Sequence, residues 1–215
     1  VDKNSKYCPA CGYERGMYVN KPHQLPAFTV LQGRYLIGKC LGEGGFGITY
    51  LTLDLLKNER VAIKELFVQG LLNRKKGKTV LIENSQESIQ YYQICKDKFL
   101  REAQLLHNLK DKSGVVNFLS YFEENNTAYI VMEYLEGQDL SQYLKEHNDK
   151  LSFRETFQFL RPVMKSLIDM NESGVYHRDI APDNIRYLKN GRMKIMDLGG
   201  AKFSFQEQVN GPSRM

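Results

Sequence analysis

Alternating apolar and polar residues predict that the part of the chain after Arg34 begins with β-strands. "RYLIGKCLG", "ITYLTLDL" and "RVAIKEL" are three such segments, and a turn at Lys57–Asn58 joins the last two. Alternation of this kind is typical of half-buried strands. A longer segment, "VVNFLSYFEENNTAYIVMEYL", predicts two more strands around an asparagine-rich turn. Residues 70–84 predict a polar loop with a small hairpin at Lys76–Gly77.

Helical spacing appears once among the predicted strands, and it becomes dominant after Gly137. Apolar residues recur every three or four positions over residues 86–109, which predicts one long helix. A second long helix is predicted from Ser152, because Ser152 and Glu155 have capping-box spacing and Gly174 suits the helix end. These elements predict an α+β fold, in which a small antiparallel β lobe with one long helix precedes a partial helical lobe.

The order of elements divides the chain into three predicted parts. Residues 1–33 are a polar leader, residues 34–135 a β-rich lobe and residues 136–215 a partial helical lobe. The 215 residues are enough for one or two buried cores.

Composition narrows the class of protein. The net charge of +5 is too small to indicate nucleic-acid binding, so no nucleic-acid partner is expected. No apolar run approaches the ~20 residues of a membrane span. Four cysteines without the density of a disulfide scaffold favour a cytoplasmic location, or the cytoplasmic side of a membrane if a further region carries an anchor.

The leader contains one candidate metal site. Cys8 and Cys11 form a C-x-x-C knuckle in "YCPACGYERG". A structural Zn²⁺ site needs four ligands, and His23 is a candidate for a third. Two interpretations stay open: half of a zinc ribbon that is completed elsewhere or by another chain, and a metal-free turn.

A glycine-rich segment between two predicted strands is the first feature that carries chemistry. In "LGEGGFGITY", Gly42, Gly44 and Gly47 let backbone amides approach phosphate groups closely. The strand that follows argues against a dinucleotide fold, in which such glycines open a helix. "VAIKE" then places Lys64 at a strand end, and Glu102 on the long predicted helix is its candidate carboxylate partner.

The most specific pattern is "VYHRDIAPDNIRYLKNGRMKIMDLGGAK". Its Asp179 can orient and deprotonate a hydroxyl nucleophile. Asn184 and Asp197 supply hard oxygen ligands suited to Mg²⁺, which is normally shared with nucleotide phosphates. Together with the glycine loop and the lysine upstream, this order of residues indicates phosphoryl transfer.

These motifs resemble the eukaryotic-like Ser/Thr protein kinases of bacteria, over roughly residues 34–205. The resemblance implies a bilobal kinase fold and ATP- and Mg²⁺-dependent transfer to Ser/Thr hydroxyls of protein substrates. It makes Asp179 the base, with Asn184 beside it, and pairs Lys64 with Glu102 to hold the α- and β-phosphates. The leader also resembles a bacterial subgroup with a cysteine knuckle. Whether the kinase forms a dimer stays open.

The resemblance further implies which residues surround the nucleotide. Glu133 and Leu135 offer hinge backbone groups to adenine, and Asp139 reaches the ribose. The other nucleotide-binding residues come from the glycine loop and the two strands around it: Leu41, Gly42, Gly44, Gly47, Thr49, Ala62 and Lys64. An apolar stack that couples the lobes would consist of Leu106, Phe118, His177 and Leu198.

Four positions depart from the family pattern. Ala181 replaces a lysine near the transferred phosphoryl group, and the loss of one charge-assisted contact slows transfer. Arg186 falls where an apolar residue usually floors the adenine pocket, so either its aliphatic stem serves there or nucleotide affinity falls. Thr49 and Leu198 replace valine and phenylalanine by residues of similar reach.

The kinase pattern also stops early. After Lys202 the sequence has no A-P-E motif, so we expect a fragment in which the later helices of the helical lobe are missing.

Two other functions are open. A pseudokinase or nucleotide-binding scaffold is favoured by Ala181, Arg186 and the early stop, and disfavoured by the retained core polar residues. A small-molecule kinase of the aminoglycoside or choline type is disfavoured by Arg178, the "VAIKE" strand and the full glycine loop.

Overall fold

The computed structural model describes residues 21–83, 85–148 and 150–203. They form two compact units. The first comprises the described residues up to Leu100 together with Leu119–Tyr134. The second comprises Arg101–Phe118 and the described residues from Leu135 onward.

The first unit is built on a six-stranded sheet. In chain order the elements up to Glu133 are β1 (Val30–Leu31), β2 (Tyr35–Gly44), β3 (Gly47–Asp54), β4 (Glu59–Leu66), β5 (Leu72–Asn73), β6 (Ile82–Glu83), helix α1 (Gln86–Asn108), β7 (Phe118–Glu124) and β8 (Thr127–Glu133). The sheet order is β1-β2-β3-β4-β8-β7. β5 and β6 pair separately with each other, which confirms the small hairpin predicted within residues 70–84.

Short turns connect the long strands of this sheet where the sequence predicts them. Asn58 adopts a φ of 55° between β3 and β4, and Asn125 and Asn126 adopt φ angles of 55° and 61° between β7 and β8. Asparagine tolerates this left-handed region better than most residues with a side chain. The asparagines therefore set both turns.

The second unit combines helices with short strands. Its elements are β9 (Gly137–Asp139), α2 (Leu140–Glu146), α3 (Phe153–Glu172), β10 (Val175–Tyr176), a 3₁₀ turn (Pro182–Asn184), β11 (Ile185–Leu188), β12 (Met193–Ile195) and β13 (Lys202–Phe203). β11 lies between β9 and β12 in a three-stranded sheet, and β10 pairs with β13. This arrangement places the 3₁₀ turn at the start of the central strand β11.

Helix α3 has the ends that the sequence predicts. The Ser152 side chain accepts a hydrogen bond from the Glu155 amide, and the Glu155 side chain returns one from the Ser152 amide. This capping box satisfies two amides that the first helical turn leaves unpaired. The helix runs through Pro162 without interruption and ends at Glu172, and Gly174 follows with a φ of 73°.

Arg74 lies in the segment predicted as a polar loop, residues 70–84, but its side chain is not solvated. Arg74 is only 2% exposed, because its guanidinium forms a buried ion pair with Glu65. Among the residues that the structure describes, no helix is long and apolar enough to cross a membrane.

Candidate active site

The glycine-rich loop connects β2 to β3 and lies against the end of β4. Gly47 is paired with Leu66 across the β3–β4 ladder. A Cβ atom on Gly47 would stand 2.8 Å from the backbone oxygen of Glu65, and real Cβ atoms essentially never approach within 3.0 Å. Glycine therefore permits the close approach of the loop to β4.

The tip of the loop is open. Leu41 is 38% exposed, and a Cβ atom added to Gly42 or Gly44 would meet no atom within 4 Å. The backbone of the tip is therefore accessible, as a phosphate-binding loop requires.

Three predicted nucleotide-binding residues share one face of the first sheet. Thr49 is paired directly with Lys64, and Ala62 lies two residues before Lys64 on β4. Because side chains alternate along a strand, all three point to the same face. Glu133 lies at the end of β8, paired with Val61.

The opposite face of β4 carries a buried polar network that the sequence did not predict. Glu65 is fully buried and accepts hydrogen bonds from the hydroxyls of Tyr50 at 3.0 Å and Tyr129 at 2.9 Å. Arg74 donates to both carboxylate oxygens of Glu65. Glu65 is therefore a paired, fully hydrogen-bonded charge, directly after the lysine that the sequence picks out.

Burial sets the protonation of this network. It raises the pKa of Tyr50 and of Tyr129, and the neighbouring Glu65 charge raises both further. Burial lowers the pKa of Arg74, but the Glu65 charge and hydrogen bond outweigh it, so the net shift is upward. The two phenols thus remain donors and the guanidinium remains charged.

In the second unit, Asp179 and Asn184 are brought into direct contact. The 3₁₀ turn places Asn184 so that its Nδ2 atom donates to Oδ2 of Asp179 at 3.1 Å and to the Asp179 backbone oxygen at 2.9 Å. The Asn184 backbone oxygen accepts from the Met196 amide at 2.8 Å. Asn184 therefore links the loop of Asp179 to the segment just before Asp197.

His177 also contacts the loop that carries Asp179. Its Nδ1 atom accepts from the Asp179 amide at 3.3 Å, and its Nε2 atom lies 3.0 Å from the backbone oxygen of Met196. Only the tautomer protonated at Nε2 satisfies both contacts. His177 is 3% exposed, so it acts as a fixed buried support for the loop.

Two glycines let the polar residues of this unit converge. A Cβ atom on Gly200 would stand 3.2 Å from the Cβ atom of Asp179. One on Gly199 would stand 3.1 Å from Oδ1 of Asp197 and 3.7 Å from Oε2 of Glu102. Since adjacent Cα atoms are about 3.8 Å apart, Asp179, Asp197 and Glu102 surround one short glycine segment.

Two residues beside this segment adopt strained backbone angles. Arg178 has a φ of 65° and Asp197 a φ of 56°. The left-handed region costs a non-glycine residue about 1–2 kcal/mol. At Asp197 the Gly199 amide donates to Oδ1 at 3.1 Å, which holds the carboxylate in place. Strain of this kind is typical of functional segments.

The strand β11 brings Arg186 to the carbonyl of Leu135. The Nε atom of Arg186 donates to that oxygen at 3.3 Å. Arg186 is also paired with Asp139 across β11 and β9, and Oδ1 of Asp139 caps α2 by accepting from the Gln142 amide at 2.7 Å. The guanidinium therefore turns toward the backbone of Leu135. The aliphatic stem of Arg186 is then the part that could form the predicted floor of the adenine pocket.

Gly137 makes the β9–β11 contact possible. A Cβ atom there would stand 2.0 Å from the backbone oxygen of Tyr187 and 2.8 Å from the Cα atom of Leu188. Any side chain at this position would separate the two strands and displace both Asp139 and Arg186.

The residues of the predicted apolar stack lie inside the second unit. Leu106, His177 and Leu198 are 1%, 3% and 1% exposed, and Phe118 makes an edge contact with the His107 ring at 5.6 Å. Leu198 is thus a buried apolar residue, as membership of the predicted apolar stack requires.

The oxygen donors fit Mg²⁺ better than a transition metal. Asn184 uses its Nδ2 atom toward Asp179, which aims its amide oxygen away from that carboxylate. Amide and carboxylate oxygens are the ligands that Mg²⁺ prefers, with nucleotide phosphates completing the shell. No group of three or more His, Cys, Asp or Glu side chains suited to a metal occurs in the described part of the chain.

The predicted zinc knuckle lies outside the described residues, since Cys8 and Cys11 both precede residue 21. His23 is described, and its Nε2 atom lies 2.7 Å from Oε1 of Glu43. That nitrogen is therefore engaged with a carboxylate in the glycine loop.

Comparisons with known proteins show the family and the fold of this chain. The family model described as "Protein kinase domain" matches residues 35–211. The chain belongs to the protein kinase domain family. A solved structure of PpkA in its apo form superimposes with a TM-score of 0.77 at 26% identity, covering 82% of this chain and 62% of that one. The kinase fold predicted from the sequence is thereby confirmed.

Two similar proteins from bacteria are named serine/threonine-protein kinases. The chain is 32% identical over 188 residues to the serine/threonine-protein kinase PknA of Nostoc sp., covering 84% of this chain and 30% of PknA. It is 31% identical over 169 residues to PrkC of Bacillus subtilis, covering 79% of this chain and 23% of PrkC. The chain thus spans less than a third of the length of these relatives.

Proposed function

We propose that this kinase domain transfers the γ-phosphoryl group of ATP to Ser or Thr hydroxyls of proteins. The observation that carries the proposal is the hydrogen-bonded pair of Asp179 and Asn184 beside the glycine segment that Asp197 and Glu102 also border. The names of PknA and PrkC support Ser/Thr as the acceptor.

Asp179 is the base in this proposal. Its carboxylate accepts the hydroxyl proton as the hydroxyl oxygen bonds to the γ-phosphorus and the bond from that phosphorus to the β-phosphate oxygen breaks, releasing ADP. Asn184 fixes the carboxylate by its bond to Oδ2 and fixes the main chain by its bond to the backbone oxygen. The base is thus held in one orientation before substrate arrives.

The phosphates are held by positive charge and by backbone amides. Bound Mg²⁺ supplies charge neutralisation for the phosphates, and the oxygens of Asn184 and Asp197 are the proposed ligands. Lys64 holds the α- and β-phosphates, and Glu102 positions Lys64. The amides of Gly42, Gly44 and Gly47 cover the phosphates.

The base and sugar of ATP are assigned by the family likeness. Adenine takes hydrogen bonds from the backbone groups of Glu133 and Leu135, and Asp139 takes the ribose. The side chains proposed around adenine are those of Leu41, Thr49 and Ala62. The Leu135 carbonyl already accepts a hydrogen bond from Arg186, so adenine would share this acceptor with the guanidinium.

A nucleotide-binding scaffold without transfer is the second candidate. Ala181 stands near Asp179 without the cationic side chain that would contact the transferred group. The hydrogen bond from Arg186 to Leu135 also favours it, because that donor competes with adenine for the carbonyl. These two features would lower the rate of transfer or the affinity for nucleotide, but neither removes Asp179, the proposed base.

A transfer assay separates the two candidates. The full chain is incubated with γ-labelled ATP, Mg²⁺ and casein as a generic acceptor, beside Lys64→Ala and the matched surface control Lys57→Ala in the exposed β3–β4 turn. We expect label on Ser and Thr, identified by mass spectrometry, in the wild type and in Lys57→Ala but not in Lys64→Ala. Measurable Mg-ATP binding without any label would favour the scaffold.

Several expectations from the sequence stay predictions. They concern Zn²⁺ at Cys8 and Cys11, a dimer, a cytoplasmic location and lobe boundaries after residues 33 and 135. Metal analysis of the purified chain beside Cys8→Ser tests the first, with about one Zn²⁺ per chain expected for a completed four-ligand site and none in the variant. Sedimentation of the same sample tests the second.

A further inference from the structure

A short segment that precedes the six-stranded sheet contacts the glycine-rich loop through one carboxylate. Residues 21–25, which we name the strap, present three side-chain donors to Glu43 in β2. Lys21 Nζ lies 3.2 Å from Oε2, Gln24 Nε2 lies 2.9 Å from Oε2, and His23 Nε2 lies 2.7 Å from Oε1. A carboxylate can only accept, so Nε2 of His23 carries the proton in this contact.

Glu43 is held as a charged group at this position. Partial burial raises its pKa, but the hydrogen bonds from Gln24, His23 and Lys21 together outweigh burial and lower it. Its side chain is 20% exposed. Two of the three contacts are exposed to solvent, where a single ion pair stabilises little, but all three donors converge on one carboxylate and act together.

The strap itself is fixed to the rest of the first unit. Leu25 is fully buried, and its amide donates to the hydroxyl of Tyr50 at 2.9 Å. The backbone oxygen of His23 accepts from Arg74 at 2.7 Å, and the His23 ring stacks on Phe67 at 5.2 Å. These contacts join the strap to the buried network around Glu65.

Glu43 lies between the two glycines at the open tip of the loop. A Cβ atom added to Gly42, Gly44 or Gly45 would meet no atom within 4 Å, and Phe46 is 60% exposed. The segment makes few packing contacts, so beyond the β2–β3 pairing, in which Glu43 lies opposite Ile48, other contacts are needed to keep it from opening locally. The three donors of the strap act on the residue in the middle of this segment.

We propose that the strap is a positioning element for the phosphate-binding loop and that Glu43 is the positioning residue through which it acts. The strap holds the backbone of Gly42–Gly44 in the arrangement that receives the nucleotide phosphates. This rests on the proposed function for the identity of the ligand, but the effect of the strap on the free loop does not.

The first test measures the loop without ligand. Hydrogen exchange at the amides of residues 42–47 is compared in the full chain, in Glu43→Ala and in the control Glu59→Ala, which lies in the same sheet at the exposed start of β4. We expect exchange in Glu43→Ala to be at least about tenfold faster than in the wild type, because one charge-assisted anchor is lost. Glu59→Ala should show no such increase. Unchanged exchange in a folded Glu43→Ala would overturn the proposal.

The second test uses ligands with and without phosphates. We expect Glu43→Ala to weaken Mg-ATP binding by about five- to tenfold and to leave adenosine binding within about twofold, with Glu43→Gln between it and the wild type. An equal loss for ATP and adenosine would contradict a role on the phosphates.

The strap is then tested by combination. The triple variant Lys21→Ala/His23→Ala/Gln24→Ala should weaken Mg-ATP as Glu43→Ala does, and adding Glu43→Ala to it should cause no further loss, because both remove the same contact. Additive losses would overturn the proposal. A wild type that binds no ATP would contradict the proposed function instead, while the exchange experiment would still decide the role of the strap.

Discussion

Asn184 holds both the side chain and the main chain of Asp179, with its Nδ2 atom 3.1 Å from Oδ2 and 2.9 Å from the backbone oxygen. A single amide group thus fixes the residue that we propose as the base. It also leaves the Asn184 amide oxygen to a different partner, since an amide has one donor and one acceptor end. In the proposed function, one side chain therefore both orients the base and ligates Mg²⁺.

Asn184→Asp should abolish most of the transfer activity. The new carboxylate cannot donate, and it places a second negative charge where an amide now lies 3.1 Å from Asp179. We expect kcat to fall by about a hundredfold or more in a steady-state assay. Asn190→Asp is the matched control, since a carboxylate oxygen can replace the Asn190 oxygen that accepts from the Arg192 amide at 3.1 Å. Equal activity in the two variants would argue against the assigned role.

The Glu65–Arg74 pair should stabilise the first unit only as a pair. Both side chains are fully buried, so Arg74→Leu leaves an unpaired buried carboxylate. We expect it to lower the free energy of unfolding by about 3–5 kcal/mol, measured by urea denaturation. The double variant Glu65→Leu/Arg74→Leu should recover part of this loss, and Lys75→Leu, on an exposed side chain, should change it little. A double variant less stable than Arg74→Leu alone would contradict this account.

The contact of Arg34 with Asp54 should give acid-dependent stability. The hydrogen bond from Arg34 lowers the pKa of Asp54 below its usual 3.8. Because the folded pKa is the lower one, the contribution is present above pH 3.8 and is lost as the pH falls through the folded value. The free energy of unfolding, measured at a series of pH values, should fall less below that pH in Asp54→Asn and in Arg34→Gln than in the wild type. Identical pH profiles in all three would refute the assignment.

Arg186→Leu should strengthen nucleotide binding. The change removes the donor that lies 3.3 Å from the Leu135 carbonyl and supplies an apolar surface in place of a charged one. We expect the Kd for adenosine to fall by about threefold to tenfold, from one freed hydrogen bond, as measured by calorimetry. Arg192→Leu, at an exposed site next to a turn, is the control. A weaker complex in Arg186→Leu would mean that the guanidinium helps to hold the nucleotide.

Local signals in the sequence predicted many of the elements. The Asn125–Asn126 turn and the capping box at Ser152 depend on residues within a few positions of each other, so the pattern alone predicts them. The burial of Arg74 could not be predicted in this way. It depends on Glu65, which also binds Tyr50 and Tyr129. Tyr129 lies 64 residues further along the chain, and the β4–β8 register brings it opposite Glu65.

The candidate site shows the same division. The motif picked out Asp179 and Asn184, five residues apart, as base and metal ligand, but it did not predict the hydrogen bonds between them. The close approach of Gly200 to Asp179 and of Gly137 to Tyr187 depends on which backbones pack together. The strap was missed because Lys21, His23 and Gln24 are ordinary polar residues in a leader, and their partner Glu43 is separated from them by about twenty positions.

We propose that Asp179 acts in phosphoryl transfer and not in nucleotide binding. The most direct measurement compares Asp179→Asn with Asp111→Asn, an exposed loop residue in the same unit, in both the labelled-ATP assay and Mg-ATP calorimetry. We expect Asp179→Asn to lose at least about a hundredfold in phosphorylation of Ser and Thr while its Kd for Mg-ATP stays within about threefold of the wild type, a change below 1.4 kcal/mol. Full transfer activity in Asp179→Asn, with the labelled product still on Ser and Thr, would contradict the account.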